Sequence, residues 1–388
     1  MFWQYFQYMI DVPPLYVLSK LWPVLTFPLA LWALATLRLP YTTYYVVLFA
    51  YLIGVSPALS MAHLSNNLFE AAVTTTKVWS FAFYFAVSAM LVALRPSIGQ
   101  MRRAILAVAV LTCVAMWLMW LLVPADYYKS DATISQVFFI ENERGYRIVL
   151  PVGMLMVGLF FVARSFARSP RLWHACAIAT IFVTMVVIYK QRLVILSAAL
   201  VTSFLLTGGL RARAPLLGYG VALLVVAAAA AGWLMLPDQV LRDSLGASLS
   251  IRQTSAGLAW SFIADDPLRL LFGVGSTTSY STITLGEIVH FHDFFLADIG
   301  WIGVLFEYGL VGASLLGGAY LIGVRTLWRA AQGGDLLLQA LFDWTIYQLL
   351  VTSVYSVVYT PGEIATVTAI GVYAVRQAGS RAPRSGAS

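Results

Sequence analysis

Charge is what this chain of 388 residues has least of. Asp, Glu, Lys and Arg together make up 11% of it, against about 25% in a soluble domain, and that scarcity excludes a soluble enzyme. Cysteine is nearly absent too: Cys113 and Cys176 both lie in apolar runs, read as small buried hydrophobes, and carry no redox information. No internal repeat, heptad or solenoid period is visible, and no pair of similarly interrupted helices of the kind that transporters use. The N-terminus, MFWQYFQYMIDVPP, has no basic region and no small-residue cleavage site, so the first span is expected to stay in place as an anchor. What the chain has in quantity is hydrophobic sequence, 61% of residues with a mean hydropathy of +0.83.

Runs of roughly 20 apolar residues recur from end to end. They predict an all-α polytopic membrane protein in which residues 1–388 form a single integral membrane domain. The candidate spans are 15–37, 42–63, 73–94, 103–124, 147–167, 172–189, 193–208, 214–236, 294–328, 336–358 and 362–377, about eleven within a range of roughly ten to twelve. Arg38, then Arg95, Arg102 and Arg103, Arg164, Arg168 and Arg171, Arg211 and Arg213, Arg325 and Arg329, and finally Arg376, Arg381 and Arg384 fall in alternate loops and so share one face. Asp335 is the only acid among them. The positive-inside rule makes that face cytoplasmic and accounts for the net charge of +7 without nucleic acid. The N-terminus is then outside, and the polar tail 378–388 is expected to be a disordered cytoplasmic segment.

The opposite face carries the long loops, 125–146 and 237–293, and an unexpected set of cations: Arg144, Arg147, Lys190, Arg192, Arg252 and Arg269. Cations on the side that the rule depletes point to binding of an anionic ligand there. Lys190 and Arg192 lie in IYKQRLVIL. The flanking run 172–208 would measure about 55 Å as one helix, too long for a ~30 Å hydrocarbon core, so it must fold back at this pair. Arginine suits phosphate through its two parallel donors; two basic chains snorkelling to headgroups is the equally weighted alternative. In the long loop, SIRQTSAGLAWSFIADDP reads as an amphipathic surface helix bearing Arg252 and stopped by Asp265, Asp266 and Pro267. The glycine turn GVGS at 273–276 offers backbone N–H groups to an anion, a weak signal on its own.

Two of the four histidines, His290 and His292, precede Asp293 in an HxHD cluster. General acid–base work, metal ligation and plain interfacial placement are the three readings; the scattered carboxylates argue against metal. The run 294–328 is again too long for one span, about 52 Å as continuous helix. A half-helix or re-entrant piece leading into a full helix from about Phe306 fits it best. Asp298, Glu307 and Asp343 are too polar to face lipid. Gly300, Gly303, Gly309 and Gly312 permit close helix contact.

Taken in order, YKQRLVIL, SIRQTSAGLAW, DPLRLLFGVGS and HDFFLADIGWIGVLFEYGLVG resemble the bacterial O-antigen ligase and O-antigen/exopolysaccharide polymerase superfamily over residues ~185–325. His292-Asp293 stands where that family usually has His-Asn, and the acidic-x-Gly element is matched by Asp298-Ile299-Gly300 at short spacing or Glu307-Tyr308-Gly309 at longer spacing. The resemblance implies a GT-C-class, metal-independent, inverting glycosyltransferase of the bacterial inner membrane, without cofactor. It would act at the periplasmic face on undecaprenyl-diphosphate-linked oligosaccharide and a glycan acceptor. Membrane lipid would surround it, and a chain-length regulator or export proteins would be the further partners the resemblance implies. Polymerase is the first choice and ligase, with lipid A core as acceptor, the alternative; a lipid-linked glycan flippase is the rival from another class. The implied catalytic residues are His292 and Arg192, with Arg252, Lys190, Arg147, His290 and Asp293 as substrate-binding residues.

Overall fold

The computed structural model describes residues 9, 12–130, 137–141, 145–208, 247–277, 285–291, 294–356 and 361–381. The protein is helical and membrane-embedded. Among the described residues, five helices are long and apolar enough to cross a membrane: Pro13–Thr36, Thr42–Leu64, Ile98–Leu122, Leu172–Tyr189 and Gly300–Ala331. A sixth arises if Leu68–Lys77 and Trp79–Leu94, bent by 52°, are one span. That is fewer than the eleven expected. Three of the remaining candidate spans fall on the helices Gly153–Arg168, Arg192–Leu206 and Leu336–Val351, which are short for a bilayer. Another falls on Pro361–Arg381, and 214–236 lies outside the described residues.

The chain divides into two compact units. The first comprises residues up to Trp22, Pro96–Asp243 and Trp328–Val351. Its centre is the helix Gly153–Arg168, where an unbroken run from Met154 to Phe160 is buried. A helix buried on all sides needs neighbours on all sides, and this one touches Ile98–Leu122, Leu172–Thr184, Arg192–Leu206 and Leu336–Val351. Near its end the guanidinium of Arg164 grips the buried carboxylate of Asp343 with Nε and Nη2, so Asp343 faces the interior as expected. One departure from the all-α expectation is an antiparallel hairpin, Phe138–Glu141 with Gly145–Ile148. Arg147 therefore sits on a strand, and the following helix begins only at Gly153.

The second unit comprises Pro23–Arg95, Ser244–Leu327 and Thr352 onward. The loop helix is real and spans Ala247–Ala264. Its apolar face does not lie bare: Ala259 and Ile263 are buried against Val274, Val289, Phe294 and Phe306. Asp266 is less a stop than a start, because its side chain accepts from Leu268 N–H and caps the next helix, Pro267–Phe272.

The long run after residue 294 is broken, as its length requires, but at Gly309 (φ 60°, ψ −171°) and not at Phe306. A break leaves carbonyls without helical donors, and inside apolar surroundings these must be satisfied locally. The GVGS turn does so: Val274 N–H donates to Phe306 O at 2.8 Å and Gly275 N–H to Glu307 O at 3.0 Å. The Tyr51 hydroxyl reaches Tyr308 O at 2.8 Å and Phe272 O at 3.0 Å. Approach this close requires glycine on both sides. A Cβ on Gly309 would lie 2.4 Å from Gly273 N, and one on Gly273 2.5 Å from Glu307 O.

Candidate functional site

In the first unit, three of the expected cations lie on or beside one turn: Lys190 and Arg192 in sequence, and Arg147 on a strand packed against it. The helix from Leu172 ends in a π-turn, Met185–Tyr189, closed by Lys190 N–H donating to Met185 O at 2.7 Å. Lys190 takes the left-handed conformation (φ 56°), Gln191 is extended, and Arg192 opens the next helix. The helix ends and the next begins at the pair, the position where length required an interruption. The strand bearing Arg147 packs against this π-turn, and helix Ile98–Leu122 touches both. Near the end of that helix Trp120 presents its ring 5.3 Å from Lys190 Nζ.

Arg147, Lys190 and Arg192 are all half-buried. Arg147 pairs with Glu141 at 3.4 Å and lies 4.8 Å from the ring of Phe139, its cross-strand neighbour. Burial holds the Lys190 ammonium below the ordinary lysine value, because partial desolvation disfavours the charged form. Such a group gains from an anion that restores its solvation. Three cations along one short stretch of structure are chemistry suited to a multivalent anion.

The second unit holds the other expected residues. Arg252 Nη2 lies 3.5 Å from Asp298 Oδ2, and its guanidinium carbon 5.8 Å from the Tyr355 ring. His290 is exposed and left-handed (φ 53°) at the end of the short helix Leu285–Val289. His292 and Asp293 lie outside the described residues. Among the described residues no group of three or more His, Cys, Asp or Glu side chains is placed to hold a metal. The GVGS turn is not an anion cradle. Beyond the two donors given to the broken helix, Ser276 N–H donates to Ser56 Oγ and Thr277 N–H to Glu307 Oε1.

The sequence reading missed Lys77. Its Nζ meets Glu307 Oε1 and Thr277 O, and the same Glu307 oxygen accepts from Thr277 N–H and Oγ1–H, each at 3.0 Å. A lone lysine at the edge of the apolar run 73–94 was the available signal. Comparison of the chain with family models, curated proteins and solved structures finds no match.

Proposed function

We propose that this protein is a membrane glycosyltransferase that polymerises undecaprenyl-diphosphate-linked oligosaccharide units. The observation that carries the reading is the set of half-buried cations at the π-turn: Lys190 closes it, Arg192 follows two residues later, and the strand bearing Arg147 packs against it. Cations there favour a lipid-linked diphosphate, and the resemblance over residues ~185–325 supplies the glycan. In this reading an acceptor hydroxyl attacks the anomeric carbon, the bond from that carbon to the diphosphate oxygen breaks, and the lipid diphosphate leaves. Negative charge grows on the leaving group, and preorganised guanidinium and ammonium groups in a partly dry place stabilise it. Arg192 is the principal donor to it, with Lys190 and Arg147 beside. His292 takes the acceptor proton, with Asp293 next to it in sequence. Attack opposite the leaving group inverts the anomeric centre. In this reading the chemistry lies on the periplasmic side of the inner membrane, a side that the arginine distribution favours.

Arg192→Ala and His292→Ala are each expected to abolish glycan extension while the protein inserts at normal levels; polymer of ordinary length from either variant overturns the reading. Ligation to lipid A core is the alternative within the same chemistry. The surface glycan of a deletion strain separates the two, as single repeat units for a polymerase or full chains left unattached for a ligase. A flippase would move lipid-linked glycan across a bilayer without forming bonds, and elongation by purified protein excludes it.

A further inference from the structure

We propose that Arg252, Asp298 and Tyr355, with Ser255 and Ser356 behind them, form a subsite for one neutral, hydroxyl-rich sugar ring. The proposal rests on the glycan-transfer reading and, within it, assigns Arg252 to the glycan and not to an anion.

The elements come together through the backbone. Arg252 and Ser255, three residues apart on helix Ala247–Ala264, share a face. Asp298 ends the short turn Leu296–Asp298, and Ser356 N–H donates to Ala297 O at 2.9 Å, tying residues 355 and 356 to that turn. Gly300 (φ 55°) allows the same approach, since a Cβ there would lie 2.4 Å from Ser353 O. The Arg252 and Asp298 side chains are 27% and 38% exposed, so both reach out of the protein. On the same elements, Arg252 Nε, Ser255 Oγ and Ser356 Oγ are enclosed and have no hydrogen-bond partner among the described residues. Ser255 is 1% and Ser356 4% exposed. Enclosed polar groups without partners are uncommon, and a ligand or water that supplies partners is the usual remedy.

The chemistry of the set selects among ligands. Asp298 already offsets the charge of Arg252, and a diphosphate brought to this guanidinium would also face a carboxylate. A sugar hydroxyl is donor and acceptor at once. It can donate to Asp298 and accept from Arg252 or a serine hydroxyl, while the Tyr355 ring covers an apolar C–H face. The balanced pair, the ring and the unpartnered hydroxyls fit a neutral polyol. The surplus positive charge of Arg147, Lys190 and Arg192 fits the phosphates.

The test uses the full chain in detergent, with methyl glycosides of common hexoses and N-acetylhexosamines as neutral probes and inorganic pyrophosphate as the anionic one. Wild type is expected to bind at least one glycoside, weakly. Asp298→Asn and Tyr355→Ala are expected to weaken that binding by about five-fold or more and to leave pyrophosphate binding within about two-fold. Asp298→Glu should recover part of the loss, and Arg192→Ala should do the reverse of Asp298→Asn. Ser356→Ala, a small change, guards against variants that fail to fold. The proposal is overturned if no glycoside binds wild type, or if Asp298→Asn alters pyrophosphate binding and not glycoside binding. Elongation by the wild-type protein is read separately: no elongation with Asp298-dependent glycoside binding removes the transferase reading and leaves the subsite.

Discussion

Lys77 Nζ lies 2.5 Å from Glu307 Oε1, with the lysine side chain 16% and the glutamate 1% exposed. The pair binds Thr277, which directly follows the glycine turn, from both sides. A buried pair of this kind contributes little over an apolar substitute, yet removing one partner strands the other. Lys77→Ala is expected to cost about 3–5 kcal/mol and Glu307→Ala a similar amount. Lys77→Met combined with Glu307→Gln should lose less than either alone, measured as thermal unfolding of the detergent-solubilised protein. Additive losses in the double variant would show that the contact does not form.

The interlocked glycines make a sharper case, because both positive φ and absence of space apply. Gly309→Ala and Gly273→Ala each place a Cβ within about 2.5 Å of backbone atoms that cannot move aside. Each is expected to destabilise by more than the ~1–3 kcal/mol of backbone strain alone. Gly257, inside helix Ala247–Ala264, has nothing within 4 Å of its added Cβ. Gly257→Ala should therefore be neutral or stabilise by up to about 1 kcal/mol. Thermal midpoints of the three variants check the contrast, and equal effects would contradict the break at Gly309.

Lys190 offers a pH test. Its pKa is lowered by burial, so the ammonium is lost as pH rises through a value below the ordinary lysine range. If Lys190 stabilises the leaving diphosphate, elongation must fall on the alkaline side before an unperturbed lysine would titrate. Lys190→Arg keeps its charge throughout and should remove that alkaline decline. A pH–rate profile identical in wild type and Lys190→Arg would take Lys190 out of the chemistry.

How much of this was legible beforehand follows from what sequence can measure. Length against bilayer thickness located the interruption at Lys190 and Arg192 and required a break after residue 294. The cost of a charge in lipid turned Glu307 and Asp343 inward. Neither argument names a partner, since Lys77 and Glu307 are 230 residues apart and Arg164 reaches Asp343 from another helix. The break settled at Gly309 because Gly273 comes up against it, a contact no local pattern encodes. The hairpin was hidden because VFFIENERGYRIVL runs straight into an apolar helix, and short apolar runs do not separate strand from helix.

The two histidines can also be told apart. His290 is exposed and holds a left-handed φ at the end of a one-turn helix, a position where glycine or asparagine is more comfortable than histidine. That placement gives His290 a structural role at the helix end. His290→Gly is therefore expected to leave elongation within about two-fold of wild type, with stability unchanged or raised by up to about 1 kcal/mol. If His292 is the general base of the proposed transfer, His292→Ala should drop elongation by about 100-fold or more. Loss of activity in both variants, restored by divalent metal and removed by chelator, would instead make the HxHD cluster a metal site. Activity that persists in chelator and in His290→Gly, but not in His292→Ala, assigns the proton transfer to His292.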